Sequence, residues 1–570
     1  MYRGMGKTGL AKLSGSSVLL SLSLALALVA LLAFAGTKAS AQDSDLESSS
    51  REVVPLYDNL GSFHYDISSS VEQAQRYFDQ GMRLYYAFNH AEAIRAFKAA
   101  QTADPDCAIC WWGEALAYGP NINLPMDEPS AQAAYQAMQS ALNLESAASE
   151  KERAMIAALA SRYSEDAPVE RSELDQAYAD AMESLLGQYA QDLDIAVLFA
   201  EARLTLRPWD YWNAAKEPQP GIGAALVQLE RVIKADETHP GACHFYIHAV
   251  EAVYPERAIP CAERLAALMP GAGHLVHMPG HIYIRVGRYL EAVQANEHAV
   301  HADESYIQDQ HPGMGMYTAG YYPHNYDFMA FAAMMIGRRD LAVDSAEQVT
   351  ALLPEELFGS PGMDFLQHWL ARPQLMRVRF GLWQTISEQE APEAGYSHSL
   401  ALWNYAQGRA ALGLGDQSKA ADHLEHLREL SQDPNLKSLR MEFNLSSQLL
   451  AIAERVLSAW VSEAEGDYEA AVAAMRAAVE FEDELFYGEP PEWSVPTRQE
   501  LGAVLLRASN PSAAEAVFRA DLEKFPENGW SLYGLSLALQ AQTKQDEAEA
   551  VYAQWQRVWA TSDVDIADLF

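Results

Sequence analysis

Residues 74–105 read AQRYFDQGMRLYYAFNHAEAIRAFKAAQTADP. On a 34-residue grid starting at Ala74, Tyr77 takes position 4, Gly81 position 8, Phe88 position 15 and Ala93 position 20. Phe97, Ala100 and Pro105 follow at positions 24, 27 and 32. Small residues at 8 and 20 let two antiparallel helices approach closely, and bulky ones at 4 and 24 fill the space beside them. Proline then ends the second helix.

The same grid recurs along the chain. Gly280, Gly287, Ala292 and Ala299 fit a unit that starts at Gly273, and Tyr326, Ala330, Gly337, Ala342 and Pro354 one that starts at Pro323. Further units run through Gly408, Gly415 and Ala420, then Gly466 and Ala471, then Gly502, Phe518 and Pro526, and last Leu532, Ala548 and Tyr552. This pattern resembles the tetratricopeptide repeat. The resemblance implies an all-α superhelix, a solenoid of antiparallel helix pairs in which each unit packs on its neighbours. It covers most of the chain, as an N-terminal solenoid over 52–360 and a C-terminal one over 361–570, with a break expected near 360–400. Degenerate helices are expected at roughly 130–235 and 363–390.

Composition agrees with helices. Of 570 residues 49% are hydrophobic, Ala and Leu dominate, and runs of β-branched residues are rare. The formal net charge of −38 repels phosphate backbones and anionic lipid, so nucleic-acid binding is not expected. Residues 1–41 read as a secretory signal peptide. Arg3, Lys7 and Lys12 precede an apolar run from Val18 to Phe34, and Ala39-Ser40-Ala41 supplies a small-residue cleavage site. The expected destination is therefore periplasmic or secreted. Retention of residues 18–36 as a membrane anchor is the alternative. An oxidising compartment would let Cys107 and Cys110 form a local disulfide, though two packed thiols would also fit. No His follows Cys110 to make a haem-attachment motif.

Histidine is scarce but clustered, and five of the sixteen fall between His244 and His281. His244, His274 and His324 take position 2 of the first helix in successive units. Position 5 is Ile247, His277 and Asp327, and position 9 is Glu251, His281 and Phe331. At 100° per residue His274, His277 and His281 share an arc of about 60°. His248 joins His244 and Glu251 in a similar arc. The resemblance places positions 2, 5 and 9 on the wall of a concave groove. The candidate ligand-groove set is thus His244, His248, Glu251, His274, His277, His281, His324 and Asp327.

Three readings of that set stand side by side. His274, His277 and His281, with His244, could hold a transition metal such as zinc or copper. The groove could take an organic or peptide ligand, with Tyr283, Tyr306, Tyr321, Tyr322 and Tyr326 around it. Or the rings could form a structural hydrogen-bonding network. The expected function is an exported scaffold that holds a protein segment or small ligand in its groove. The alternative is a metal-binding protein or metal-dependent enzyme using the groove histidines, and no residue set names a reaction.

Other candidates are weaker. Gly534-Leu535-Ser536 lies in a predicted helix, not on a strand-to-helix elbow. His90 is expected to cap or pack in a turn, and His398, His423 and His426 to be solvated. Trp111 and Tyr118 are expected in the core and Trp112 on the groove. Arg377 and Arg379 should pair with acids or hold an anionic ligand. Two stretches read as loops, 308–322 (QDQHPGMGMYTAGYY) and 487–496 (YGEPPEWSVP).

Overall fold

The computed structural model describes residues 54–570, apart from 167, 169, 359–362 and 394. The signal-peptide and anchor readings of residues 1–41 and 18–36 lie outside the described residues, as does the boundary at 360. Among the described residues the chain is a succession of antiparallel helix pairs. It has no β-strand, only isolated bridges at Trp212–Pro218 and Arg440–Leu445. No described helix is long and apolar enough to cross a membrane.

The grid is visible in the backbone. Position 15 is left-handed in repeat after repeat, at Phe88, Gly287, Gly337, Gly381, Gly415, Gly466, Ser509 and Thr543. A single residue at φ > 0 reverses the chain between the two helices of a pair, and glycine does this without a Cβ penalty. Position 16 then caps the second helix. The side chains of Asn89, Asp416, Asp467 and Asn510 accept from the N–H groups of Glu92, Lys419, Ala470 and Ala513 at 3.0–3.3 Å. The close approach at position 8 is equally direct. A Cβ on Gly81 would lie 2.5 Å from the Phe97 ring, and one on Gly502 2.3 Å from the Phe518 ring.

The solenoid curls back on itself. Trp530 Nε1 donates to the Met334 carbonyl at 2.8 Å, and the Trp559 ring packs on Gly337. Asp563 accepts from the N–H groups of Arg339 (2.7 Å) and Asp340 (3.0 Å), capping a helix more than two hundred residues upstream. One hydrophobic core accordingly runs from Leu60 to Ala346 and takes in Phe525, Trp530, Trp559 and Ile566. A second spans Ala371 to Ala548, and a small cluster from Val349 to Trp369 lies between.

Several local expectations change. Trp112 is buried and Trp111 only half-buried, because the first helix of that unit turns its Trp112 face into the core. His398 is fully buried and His423 nearly so, neither of them solvated. Residues 308–310 end the helix Tyr289–Gln310, and 317–321 form a π-turn leading into the helix Tyr322–Met335, so the expected loop shrinks to its middle. Both cysteine pairs are bridged, Cys107–Cys110 and Cys243–Cys261. Asn89 is the cap and His90 the first helical residue, stacked on Tyr85. Arg377 pairs with Glu347 at 2.6 Å, and Arg379 lies over the Trp530 ring. Residues 534–536 are helical as expected, within Gly529–Ala541.

Candidate metal centre

Four helices bring the histidines together. His244 and His248 stand on Pro240–Val250, with Glu251 at its C-cap. His274 and His277 belong to Gly273–His277 and His281 to Pro279–Arg285. These last two are one helix broken at Met278, because Pro279 has no N–H to continue the ladder. His324 comes from the first turn of Tyr322–Met335.

They do not line an open groove. His244, Glu251 and His277 are completely buried, and His248, His274 and His281 are no more than 3% exposed. Only His324 is half-buried. The rings of Phe88, Trp209, Tyr321 and Phe328 pack on the histidines, and the 487–496 segment reaches one of them. Its Glu489 Oε2 lies 2.9 Å from His281 Nδ1, and its other carboxylate oxygen is 3.6 Å from Arg285 Nε. Tyr487 donates its hydroxyl to Glu489. Asp327 also departs from expectation. Instead of joining the imidazoles, it pairs with Arg372 at 3.0 Å, and Arg372 in turn donates to the Glu492 carbonyl at 2.9 Å. Of the five tyrosines, Tyr321 packs on His274, with centroids 4.6 Å apart. Tyr283, Tyr306 and Tyr322 engage Arg288, Glu92 and Glu304, and Tyr326 packs on Tyr322.

The partners at each Nδ1 decide which nitrogen is free. His277 Nδ1 is 2.6 Å from Asn296 Oδ1, whose amide is oriented by donation from its Nδ2 to the Ala292 carbonyl at 2.8 Å. His277 therefore donates from Nδ1 and presents a lone pair at Nε2. His281 Nδ1 faces Glu489 and, at 3.1 Å, Glu251, so it too carries the proton there. The two Nε2 atoms are 2.9 Å apart. On the facing helix His244 Nδ1 donates to the Tyr86 carbonyl at 2.7 Å, and its Nε2 lies 3.1 Å from His274 Nε2.

Electrostatics sharpen the picture. Burial pushes His244, His248, His274, His277 and His324 well below the ordinary imidazole range, and their mutual proximity adds to it. Burial works against a charge on His281 as well, but Glu251 and Glu489 outweigh it and hold it at about 9. Burial raises both carboxyls, and Glu251 raises Glu489 further. Two carboxylates, one imidazolium and Arg285 thus balance inside the fold. The neutral rings are in the form that binds metal.

A second buried pair shows what a self-sufficient network looks like. Ser446 donates to His398 Nδ1 (2.7 Å), His398 Nε2 donates to His368 Nδ1 (3.0 Å), and His368 Nε2 donates to the Glu492 carbonyl (2.8 Å). Every nitrogen there is satisfied with both rings neutral. In the larger cluster, His248 has no hydrogen-bond partner at either ring nitrogen among the described residues, and His274 has none at Nδ1.

Sequence reasoning missed Glu489, Asn296 and Phe88 as parts of this site. Asn296 was detectable, because it takes position 24 of its unit, where Phe97 and Phe518 stand in theirs. Phe88 was placed on the grid, but not in contact with the histidines. Its ring stacks on His274 at 5.3 Å and on His248 at 6.1 Å.

No protein-family description and no curated protein matches the chain. Solved structures match over most of its length. One is a Naa15/Naa10 complex bound to HypK-THB, at 16% identity and TM-score 0.22 over 86% of this chain and 70% of that one. A human IFIT1 dimer with PPP-AAAA matches at 10% identity and TM-score 0.31, covering 86% of this chain and 91% of that one. The TPR domain of P58(IPK) matches at 11% identity and TM-score 0.22, covering 83% and 99%. The described residues themselves form an all-α array of antiparallel helix pairs, the architecture that the tetratricopeptide resemblance implies. At these TM-scores the likenesses carry no argument, and what the cluster binds follows from its own geometry.

Proposed function

We propose that this chain is an exported helical-repeat scaffold that holds a transition-metal ion, zinc or copper, at His277, His281 and His324. One observation carries the reading. Asn296 accepts from Nδ1 of His277, the carboxylates of Glu489 and Glu251 face Nδ1 of His281 at 2.9 and 3.1 Å, and the two Nε2 atoms face each other at 2.9 Å. His324 completes a set whose donor atoms lie within 4.8 Å of one another. Tetrahedral ligands at zinc–nitrogen bond lengths stand about 3.3 Å apart, close to the spacing of this pair.

Asn296 and the carboxylates of Glu251 and Glu489 are the outer-shell groups such a centre requires, since they fix the tautomer and the ring plane. Imidazole donors favour zinc, copper, iron or nickel over calcium or magnesium, which prefer oxygen. Three protein ligands would leave a position for water or a substrate, the pattern of a catalytic zinc site. Export rests on the leader-like residues 1–41, and the two disulfides suit an oxidising compartment. The groove reading is less favoured at this wall, because five of the six rings are no more than 3% exposed and offer a partner segment no surface.

The test is metal analysis of purified protein loaded separately with Zn(II) and Cu(II), then desalted. The reading expects tightly held metal in the wild type and its loss from this set in His277→Ala. Protein that retains neither metal refutes it.

A further inference from the structure

We infer that the cluster is built for two ions, with a second metal site at His244, His248 and His274. The inference rests on the metal reading of the His277 set.

Six imidazoles converge, but not on one point. A single tetrahedral ion takes four donors, fewer than the imidazoles gathered here. The donor atoms fall into three overlapping groups, each within 4.8 Å internally: two all-imidazole triads, His244 with His248 and His274 and His277 with His281 and His324, and a third group, His248 with Glu251 and His281, that joins them. His244, His248 and His274 draw on two of the four helices, and His277, His281 and His324 on three. Within the new triad His244 donates from Nδ1 to the Tyr86 carbonyl and presents its Nε2 lone pair 3.1 Å from His274 Nε2.

Glu251 ties the triads together. One of its oxygens is 3.6 Å from His248 Nδ1 and the other 3.1 Å from His281 Nδ1. A single buried carboxylate therefore lies against one ring of each triad on its Nδ1 side, which leaves both Nε2 atoms for ions. This also makes sense of His248, a ring only 2% exposed whose two nitrogens find no hydrogen-bond partner among the described residues. A neutral imidazole buried that way loses the hydration of a donor and an acceptor. A ligand role for Nε2 removes one of these deficits and leaves Nδ1 directed at Glu251, 3.6 Å away.

Phe88 supplies a second, independent sign. It takes up φ +57°, the left-handed turn position that glycine fills in several other units. A bulky residue there is strained, because its Cβ crowds the following carbonyl oxygen. The ring held there covers this triad, with centroids 4.4 Å from His244, 5.3 Å from His274 and 6.1 Å from His248. Strain kept in place over unpartnered imidazoles fits an apolar wall that shields the ion from water.

The experiment counts metal per folded chain after loading the full protein with Zn(II) alone or Cu(II) alone and desalting. Two ions per wild-type chain are expected, with one remaining in His274→Ala and a different one remaining in His277→Ala. Circular dichroism confirms that each variant is folded. Electron paramagnetic resonance of the wild type keeps the question answerable if a variant fails to fold. The Cu(II) signal should broaden by dipolar coupling as loading goes from one to two equivalents. One ion per chain that survives His274→Ala, or a single ion lost in both variants, overturns the second site while the first stands. No retained metal in the wild type overturns the underlying reading instead.

Discussion

His277 Nε2 and His281 Nε2 face each other at 2.9 Å, although each ring is already engaged through Nδ1. Two lone pairs cannot rest at that separation without a positive centre between them. In the metal-free chain the centre is a proton, since Glu251 and Glu489 keep His281 protonated to about pH 9. A metal ion would take the proton's place, and the groups around the pair control how well it does so.

Asn296→Ala should weaken metal binding without abolishing it. The substitution frees His277 to rotate and to exchange tautomers, and loss of such outer-shell partners typically costs 10–100-fold in affinity. Competition against a chelator of known affinity should show that drop, with full occupancy regained at excess metal. Unchanged affinity would mean that the His277 tautomer is set elsewhere.

The repeat architecture was legible because it is local. A left-handed residue at position 15 is a requirement of one turn, and glycine supplies it at Gly287, Gly337, Gly415 and Gly466 down the chain. The imidazole cluster was legible for the same reason, as positions 2, 5 and 9 project from one helix face. Closure of the groove was not legible. Glu489 reaches His281 across more than two hundred residues, and the pairing of Asp327 with Arg372 depends on the same return of the chain. A single repeat records how it meets its neighbours, not where the superhelix curls.

His398 provides a pH test away from the proposed centre. Burial holds this ring down at about 3, below its unfolded value near 6.5. Its contribution to stability is therefore present above pH 6.5 and is lost as the pH falls toward 3, at about 1.4 kcal/mol per pH unit. Gln at this position can still accept from Ser446 and donate to His368, but it cannot titrate. Urea midpoints measured between pH 6.5 and 4.5 should fall less steeply for His398→Gln, by about one proton's worth of slope. Parallel slopes would show that His398 is not neutral in the folded chain.

Thr543 occupies the left-handed position at φ +62° in the last unit, and β-branched residues are poorly suited to it. Thr543→Gly should stabilise the protein by roughly 1 kcal/mol, the strain released less the added chain entropy of glycine. The same substitution at Phe88 should not, because it removes the ring packed on His244 and His274, and large-to-small changes at buried aromatics cost about 3–5 kcal/mol. Chemical denaturation of the two variants should shift their midpoints in opposite directions.

Gly502 and Phe518 test the packing rule of the grid itself. A Cβ at Gly502 would meet the Phe518 ring at 2.3 Å, and the ring is also wedged against Gly534, so it has no free direction in which to yield. Gly502→Ala should therefore destabilise by about 1–3 kcal/mol, the usual cost of overpacking. Phe518→Leu alone should also destabilise, by leaving space where the ring tip was. The double variant Gly502→Ala/Phe518→Leu fits the added methyl into that space, so its loss should be smaller than the two single losses added together. Additive losses in a double-mutant cycle would show that the helices separate as a pair, and that positions 8 and 24 do not interlock as the repeat pattern requires.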